Sequence, residues 1–431
     1  MTSYVASKIF DADRALSVLR RNMINSGDTA FVLFSACLVM LMTPGLAFFY
    51  GGMVRRKNVL GVLMQCFIIL CVLSLQWVLF GYSLSFSPGE GFFGNLNWFG
   101  LNNVGFAPYK DYAATIPHQE FMIFQAMFAI ITPALIIGAF AERMKFSAFL
   151  IFIVLWATFV YDPVCHWVWG MGGWLKNLGA LDFAGGTVVH INAGIAALVT
   201  AVVIGKRKGY QNRPNPPHNL PFTVLGAALL WFGWFGFNSG SALAANEIAV
   251  NAFVVTNTAA AAAGLSWAVL EWIYNGKPTV FGVVTGAVAG LVAITPAAGY
   301  VNAISSIIIG LSVSIFCFIA VSIIKPKLGY DDSLDAFGVH GIGGIWGALA
   351  TGLFASKAVN PAGNNGLFFG NPQQFLVQLT AVSVVIVYSF VITFVIYKLV
   401  DVFVGVRVTE KSEDIGLDLT QHHEGAYTVL E

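Results

Sequence analysis

Apolar runs of about twenty residues recur along nearly the whole chain, and that property dictates what it can fold into. A helix needs roughly 20 apolar residues to cross the hydrocarbon core of a bilayer. Taken run by run, the sequence predicts eleven spans, at about 29–52, 58–85, 118–141, 146–168, 186–205, 220–238, 249–274, 278–297, 300–324, 338–356 and 374–400. No hydrophilic block is large enough for a separate soluble domain. The expected fold class is therefore all-α, a polytopic membrane domain over 29–404 with an N-terminal segment, 1–28, and a C-terminal tail, 405–431.

Charge orients this bundle. Eleven spans put the termini on opposite sides, and short loops rich in Lys and Arg stay in the cytoplasm. Arg55-Arg56-Lys57, Arg143 with Lys145, Lys206-Arg207-Lys208 with Arg213, Lys277, and Lys325 with Lys327 all fall on the side of the C-terminal tail. The opposite loops carry only Lys110, Lys176 and Lys357. The tail is expected in the cytoplasm and the N-terminus outside. Lys8, Arg14, Arg20 and Arg21 resist that assignment, with Asp11 and Asp13 as a partial offset, and the segment lacks the continuous apolar core of a signal peptide.

Ten of the spans divide as five plus five, with His190 in the fifth and His340 in the tenth. An odd number of spans per repeat forces the second copy to run inverted, and inverted repeats set their functional site at the midplane. Repeat one covers about 29–205 and repeat two about 220–356, leaving the eleventh helix, about 374–400, as a brace. Both histidines lie in glycine-rich segments with an aspartate upstream: Asp182-Phe-Ala-Gly-Gly-Thr-Val-Val-His190 and Asp335-Ala-Phe-Gly-Val-His340. Small residues let helices approach closely in lipid, but packing alone gives no reason to place an imidazole in the seam. Intramembrane ionisable groups are costly and mark proton or substrate paths.

Aromatic residues are placed to line such a path. Phe124 and Phe128 sit one helical turn apart, Trp169 closes the fourth span, and Trp234-Phe-Gly-Phe237-Asn-Ser-Gly-Ser241 ends the sixth. Aromatic faces attract cations by about 0.5–2 kcal/mol, and the Ser241 hydroxyl adds an acceptor. Asp182 is read first as an N-cap, Glu142 as a helix-end cap or ion-pair residue, and Asp162 has no evident role. The five cysteines (Cys37, Cys66, Cys71, Cys165, Cys317) fall in apolar segments at unrelated spacings and read as small buried residues. No cofactor or metal is expected. Neither a G-x-S-x-G nor an H-E-x-x-H pattern occurs, which argues against an enzyme. A net charge of +1 with no basic cluster among aromatics argues against a nucleic-acid partner.

Several longer runs resemble the ammonium transporter, methylammonium permease and Rhesus protein family: Thr43-Pro-Gly-Leu-Ala-Phe-Phe-Tyr-Gly-Gly-Met-Val-Arg-Arg-Lys57, Gly138-Ala-Phe-Ala-Glu-Arg143, the Asp182–His190 run, Trp234-Phe-Gly-Phe-Asn238, Phe337-Gly-Val-His-Gly341 and the tail Gly416–Tyr427. The tail, Trp169 and Ser241 favour the bacterial-type ammonium transporter branch. The resemblance implies an outer recruitment site for ammonium or methylammonium at Phe124, Trp169 and Ser241, and a stacked gate of Phe128 and Phe237. It further implies a twin-histidine pore of His190 and His340, with Asp182, Asp335 and Trp234 in support. A homotrimer in the plasma membrane with one pore per subunit, and a PII-type signalling protein at the cytoplasmic face, are part of the same expectation.

The expected mechanism deprotonates ammonium at the outer site, conducts ammonia through the apolar lumen, and relays the proton over two neutral imidazoles hydrogen-bonded to each other. Two other classes stay open at this point. One is an ammonium sensor signalling through the tail; the other is a channel for small neutral solutes, against which the lack of an Asn-Pro-Ala pair counts.

Overall fold

The computed structural model describes residues 24–211 and 216–427. Eleven helices cross the apolar layer: α1 (Ser26–Met53), α2 (Arg56–Phe86), α3 (His118–Phe140), α4 (Phe146–Leu178, broken at Gly170), α5 (Gly186–Ile204), α6 (Leu220–Gly240), α7 (Glu247–Asn275), α8 (Val280–Ile294), α9 (Ala303–Leu328), α10 (Phe337–Phe354) and α11 (Pro372–Val404). Ten are long and apolar enough to span by length and composition, and α8, at 15 residues, is the short one. At 1.5 Å per residue α8 rises only about 22 Å, and the turns at 295–300 complete its crossing. Two short helices, α12 (Glu410–Ile415) and α13 (Leu417–His422), form the tail. The open assignment of residues 1–27 lies, for 1–23, outside the described residues.

The halves are inverted copies, and helix contacts trace the relation. α1 and α6, the first helices of each half, run antiparallel: Gly52 meets Thr223, Gly45 meets Leu229 and Gly236 meets Leu38. The last helices of each half, α5 and α10, cross in the same sense. Gly194, four residues after His190, abuts the backbone of Gly341; Gly344, four residues after His340, abuts the backbone of Ile191. A Cβ on Gly194 would sit 2.2 Å from the Gly341 nitrogen, so only glycine permits this approach. The loops entering these helices are matched as well. Phe183 N donates to the Pro296 carbonyl at the end of α8 (3.1 Å), and Leu334 N to the Gly138 carbonyl near the end of α3 (2.9 Å). Wide π-type turns interrupt α4 at Ala157–Tyr161 and α9 at Ala320–Ile324, and open α5 and α10 at the histidines. α11 packs across α5 and α10.

All the tail contacts fall on the face that carries the basic loops. Glu142, in the α3–α4 turn at φ +74°, is the hub. Its Oε1 accepts from Arg55 N (2.8 Å), Arg55 Nε (2.9 Å) and Asn58 Nδ2 (2.8 Å), while Oε2 lies 3.3 Å from Arg207 Nη1. Arg207 also pairs with Asp331 (2.8 Å), which pairs with the buried Arg143 (2.9 Å). The tail plugs into this cluster: Leu417 N donates to Asn58 Oδ1 and Gly61 N to Asp418 Oδ1, each at 2.8 Å. Burial alone would raise the Glu142 carboxyl, but Arg207 and Arg55 hold it below its ordinary range. A depressed acid stabilises the fold above its unfolded pKa, and that contribution fades as pH falls through the lower folded value. Glu142→Gln should cost about 3 kcal/mol at neutral pH, the scale of removing one partner from a buried pair. In thermal unfolding of purified protein, the melting-temperature gap between wild type and variant should narrow steadily below pH 4.5. A gap independent of pH would refute the assignment.

Candidate functional site

Two aspartates, each eight residues before a histidine, open the crossing helices. Asp182 Oδ1 accepts from Gly185 N (2.8 Å) and Gly186 N (2.6 Å), and Oδ2 from Thr187 N (2.7 Å), Val188 N (3.2 Å) and the Thr187 hydroxyl. A helix start leaves free amides and a positive dipole end, and one carboxylate satisfies four amides here. In the second half the matching residue is Asp332, which accepts from Ala336 N (3.1 Å) and Phe337 N (2.8 Å). The sequence pairing of Asp182 with Asp335 is thus corrected by three residues. Asp335 instead pairs with Lys325 and takes a positive φ of +60°, because the loop must turn there for Asp332 to reach the helix start.

With the helices so held, His190 and His340 lie side by side, ring centroids 5.4 Å apart and planes 15° apart. His190 is 1% exposed and His340 4%. His190 also stacks on Trp234 (5.4 Å, 22°), whose Nε1 donates to Thr295 Oγ1 at 2.8 Å. The hydrogen bond expected between the imidazoles is not formed. Both ring nitrogens of His190 and Nδ1 of His340 have no protein partner among the described residues. The two ring planes are thus near parallel, with a centroid separation larger than face-to-face contact would give.

A broken line of cavities runs past these rings. On the face opposite the tail, a cavity of about 250 Å³ is lined by Tyr112, Gln125, Phe128, Trp169, Asp182, Ser241 and others. Its floor is the contact of Phe128 with Phe237, centroids 4.3 Å apart. Beneath lies a void of about 10 Å³ bounded by Phe237, Trp234, His190 and His340. Beyond His340 a second void of about 10 Å³ touches Tyr50, Met53 and Asp335, toward the tail face. Each void is near the size of a single water and walled mainly by apolar side chains.

Of the residues singled out in the sequence, Trp169 and Ser241 line the large cavity with Phe128, and Trp169 Nε1 donates to the Asp182 carbonyl at 2.8 Å. Ser241 donates to the Phe237 carbonyl at 2.9 Å, leaving its lone pairs as acceptors. Phe124 is not in the cavity wall. It is fully buried, edge-on to Phe128 at 5.1 Å, with its ring tucked where a side chain on Gly240 would otherwise stand. Phe128 is both cavity wall and floor. Asp162 sits apart, fully buried, accepting from Gln76 Nε2 (2.8 Å) and Ser85 Oγ (3.2 Å) to tie α2 to α4.

Tyr112, Gln125, Lys176 and Tyr300 line the cavity without having been anticipated. Gln125 was legible from its spacing, one turn before Phe128 on the face shared with Phe121. Its Oε1 is buried without a partner among the described residues. Tyr112 comes from the long 87–117 loop, whose return onto the bundle nothing local announces.

The profile of the Ammonium Transporter Family matches residues 30–427. An ammonium transporter of Bacillus subtilis (strain 168) is 58% identical over 401 residues, 93% of this chain and 98% of that protein. The ammonium transporter Amt1 of Archaeoglobus fulgidus is 51% identical over 407 residues, 94% of this chain and all of that one. Among solved structures, Saccharomyces cerevisiae Mep2 superposes with a TM-score of 0.86 at 35% identity, covering 90% of this chain and 89% of that chain. Inverted halves, paired imidazoles and these relatives agree: the chain belongs to the ammonium transporter family.

Proposed function

We propose that this protein carries ammonium across the plasma membrane, taking the cation on the face opposite the tail and passing ammonia through the narrow lumen. The observation carrying this reading is the pair of imidazoles buried in a line of small apolar voids, with unpartnered nitrogens. Losing hydration makes a bare cation prohibitively costly in such a passage. The large cavity offers partial compensation through the Trp169 and Phe128 rings and through acceptors at Ser241 and Gln125. Deprotonation there removes most of the cost. Potassium, with no proton to surrender, is refused.

On this reading Phe128 and Phe237 form the gate, and His190 and His340 relay the proton. Phe124 backs the gate and Asp182 caps the pore helix, while Trp234 orients His190. The pair accepts at most one extra proton, because like charges this close in a low-dielectric site are strongly disfavoured. The transport unit spans 29–404, with 1–28 outside and the 405–431 tail cytoplasmic, as the basic loops beside that tail require. A homotrimer, and a PII-type protein on the tail face, follow from the family resemblance.

Proteoliposomes on a supported membrane test the core claim. Ammonium and methylammonium should evoke saturable currents, and potassium at the same concentration none. Potassium current of similar size would overturn the filter, while binding without flux would make the protein a sensor.

A further inference from the structure

Lys176 brings an ammonium group of the chain's own to the cavity mouth. It sits in the helical turn Trp174–Leu178, and its Nζ donates to the Trp169 carbonyl at 3.1 Å. The same nitrogen lies 5.6 Å from the centroid of the Tyr112 ring. Lys176, Trp169 and Tyr112 all line the cavity, and Asp111 joins them. The carboxylate that acts on Lys176 electrostatically is Asp111.

A primary alkylammonium and the ammonium ion seek the same partners, a carbonyl to accept N–H and an aromatic face for the charge. We infer that the Trp169 carbonyl and the Tyr112 ring form a cation station at the cavity mouth for ammonium or small primary ammonium ions, and that Lys176 occupies it as a tethered competitor. The inference rests on the transport reading above and adds to it a device that sets apparent affinity. With Lys176 in place, an arriving cation meets a filled station and a fixed like charge. With the charge removed, the carbonyl and ring are open and Asp111 adds attraction. Charges at the cavity mouth are screened over about 8 Å at physiological ionic strength, so the effect is largest in dilute buffer.

The test measures KM for methylammonium uptake into proteoliposomes with wild type, Lys176→Gln and Lys176→Arg. In low salt, Lys176→Gln should lower KM about fivefold, the scale of one unscreened charge at a few ångströms. Raising sodium chloride should shrink that difference, and Lys176→Arg should keep the wild-type KM. An unchanged KM in Lys176→Gln would overturn the inference alone, as would an equal shift in Lys176→Arg, which would point to shape and not charge. A wild type that transports nothing would overturn the transport reading and this inference together.

Discussion

Replacing His190 and His340 together by phenylalanine should cut the ammonium-evoked current in proteoliposomes by an order of magnitude or more. Phenylalanine keeps a flat ring that can stack with Trp234, at a somewhat larger volume, so the lumen stays apolar and filled; what disappears is every nitrogen able to hold a proton. A tenfold loss needs only about 1.4 kcal/mol on the barrier, small beside the cost of moving a proton through a dry passage without a carrier. Electroneutral passage of ammonia, followed as a pH change inside the vesicles, should survive better than the current. An undiminished current in the double variant would refute the relay. Loss of both signals in step would mean that the imidazoles shape the lumen and do not move protons.

Asp182→Ala should have the largest effect on the fold itself. Four backbone amides at the start of α5 lose their acceptor in a buried setting. Each buried donor left unmade costs about 1–3 kcal/mol, so the total should reach at least about 3 kcal/mol even with partial hydration. The readout is a sharp drop in monodisperse protein after solubilisation and in melting temperature. Asp182→Asn, which can still accept, should fall between. Asp332→Ala should be milder, because that carboxylate serves only two amides. A melting temperature for Asp182→Ala equal to wild type would remove the capping role.

The eleven spans and their inversion were legible because both rest on long-range averages: apolar length, the sidedness of Lys and Arg, and an odd count per half. The two histidines were legible because a titratable ring in an apolar run is costly wherever it sits. Details set by the third dimension were not. The aspartate matching Asp182 proved to be Asp332, and only the backbone turn at Asp335 reveals why the nearer residue cannot serve. Phe124 and Phe128 share a helical face, and the space vacated at Gly240 decides which ring turns inward. The hydrogen bond expected between the imidazoles is missing for a related reason, since the separation and tilt of two rings depend on helix crossing and not on residue identity. Tyr112 and Lys176 reach the cavity from segments whose course depends on many weak aromatic contacts, which leave no periodic trace.

The backbone-to-backbone crossing of α5 and α10 has a kinetic corollary. Helices that touch through Gly194 and Gly344 have no compressible side chains between them, so the two rings cannot be drawn apart in a rocking cycle without tearing the centre of the molecule. On the proposed transport reading, such a passage would act as a stationary sieve that sorts by acidity. Turnover should accordingly be governed by how fast a ring flips or a proton hops, with none of the large volume fluctuations that accompany alternating exposure.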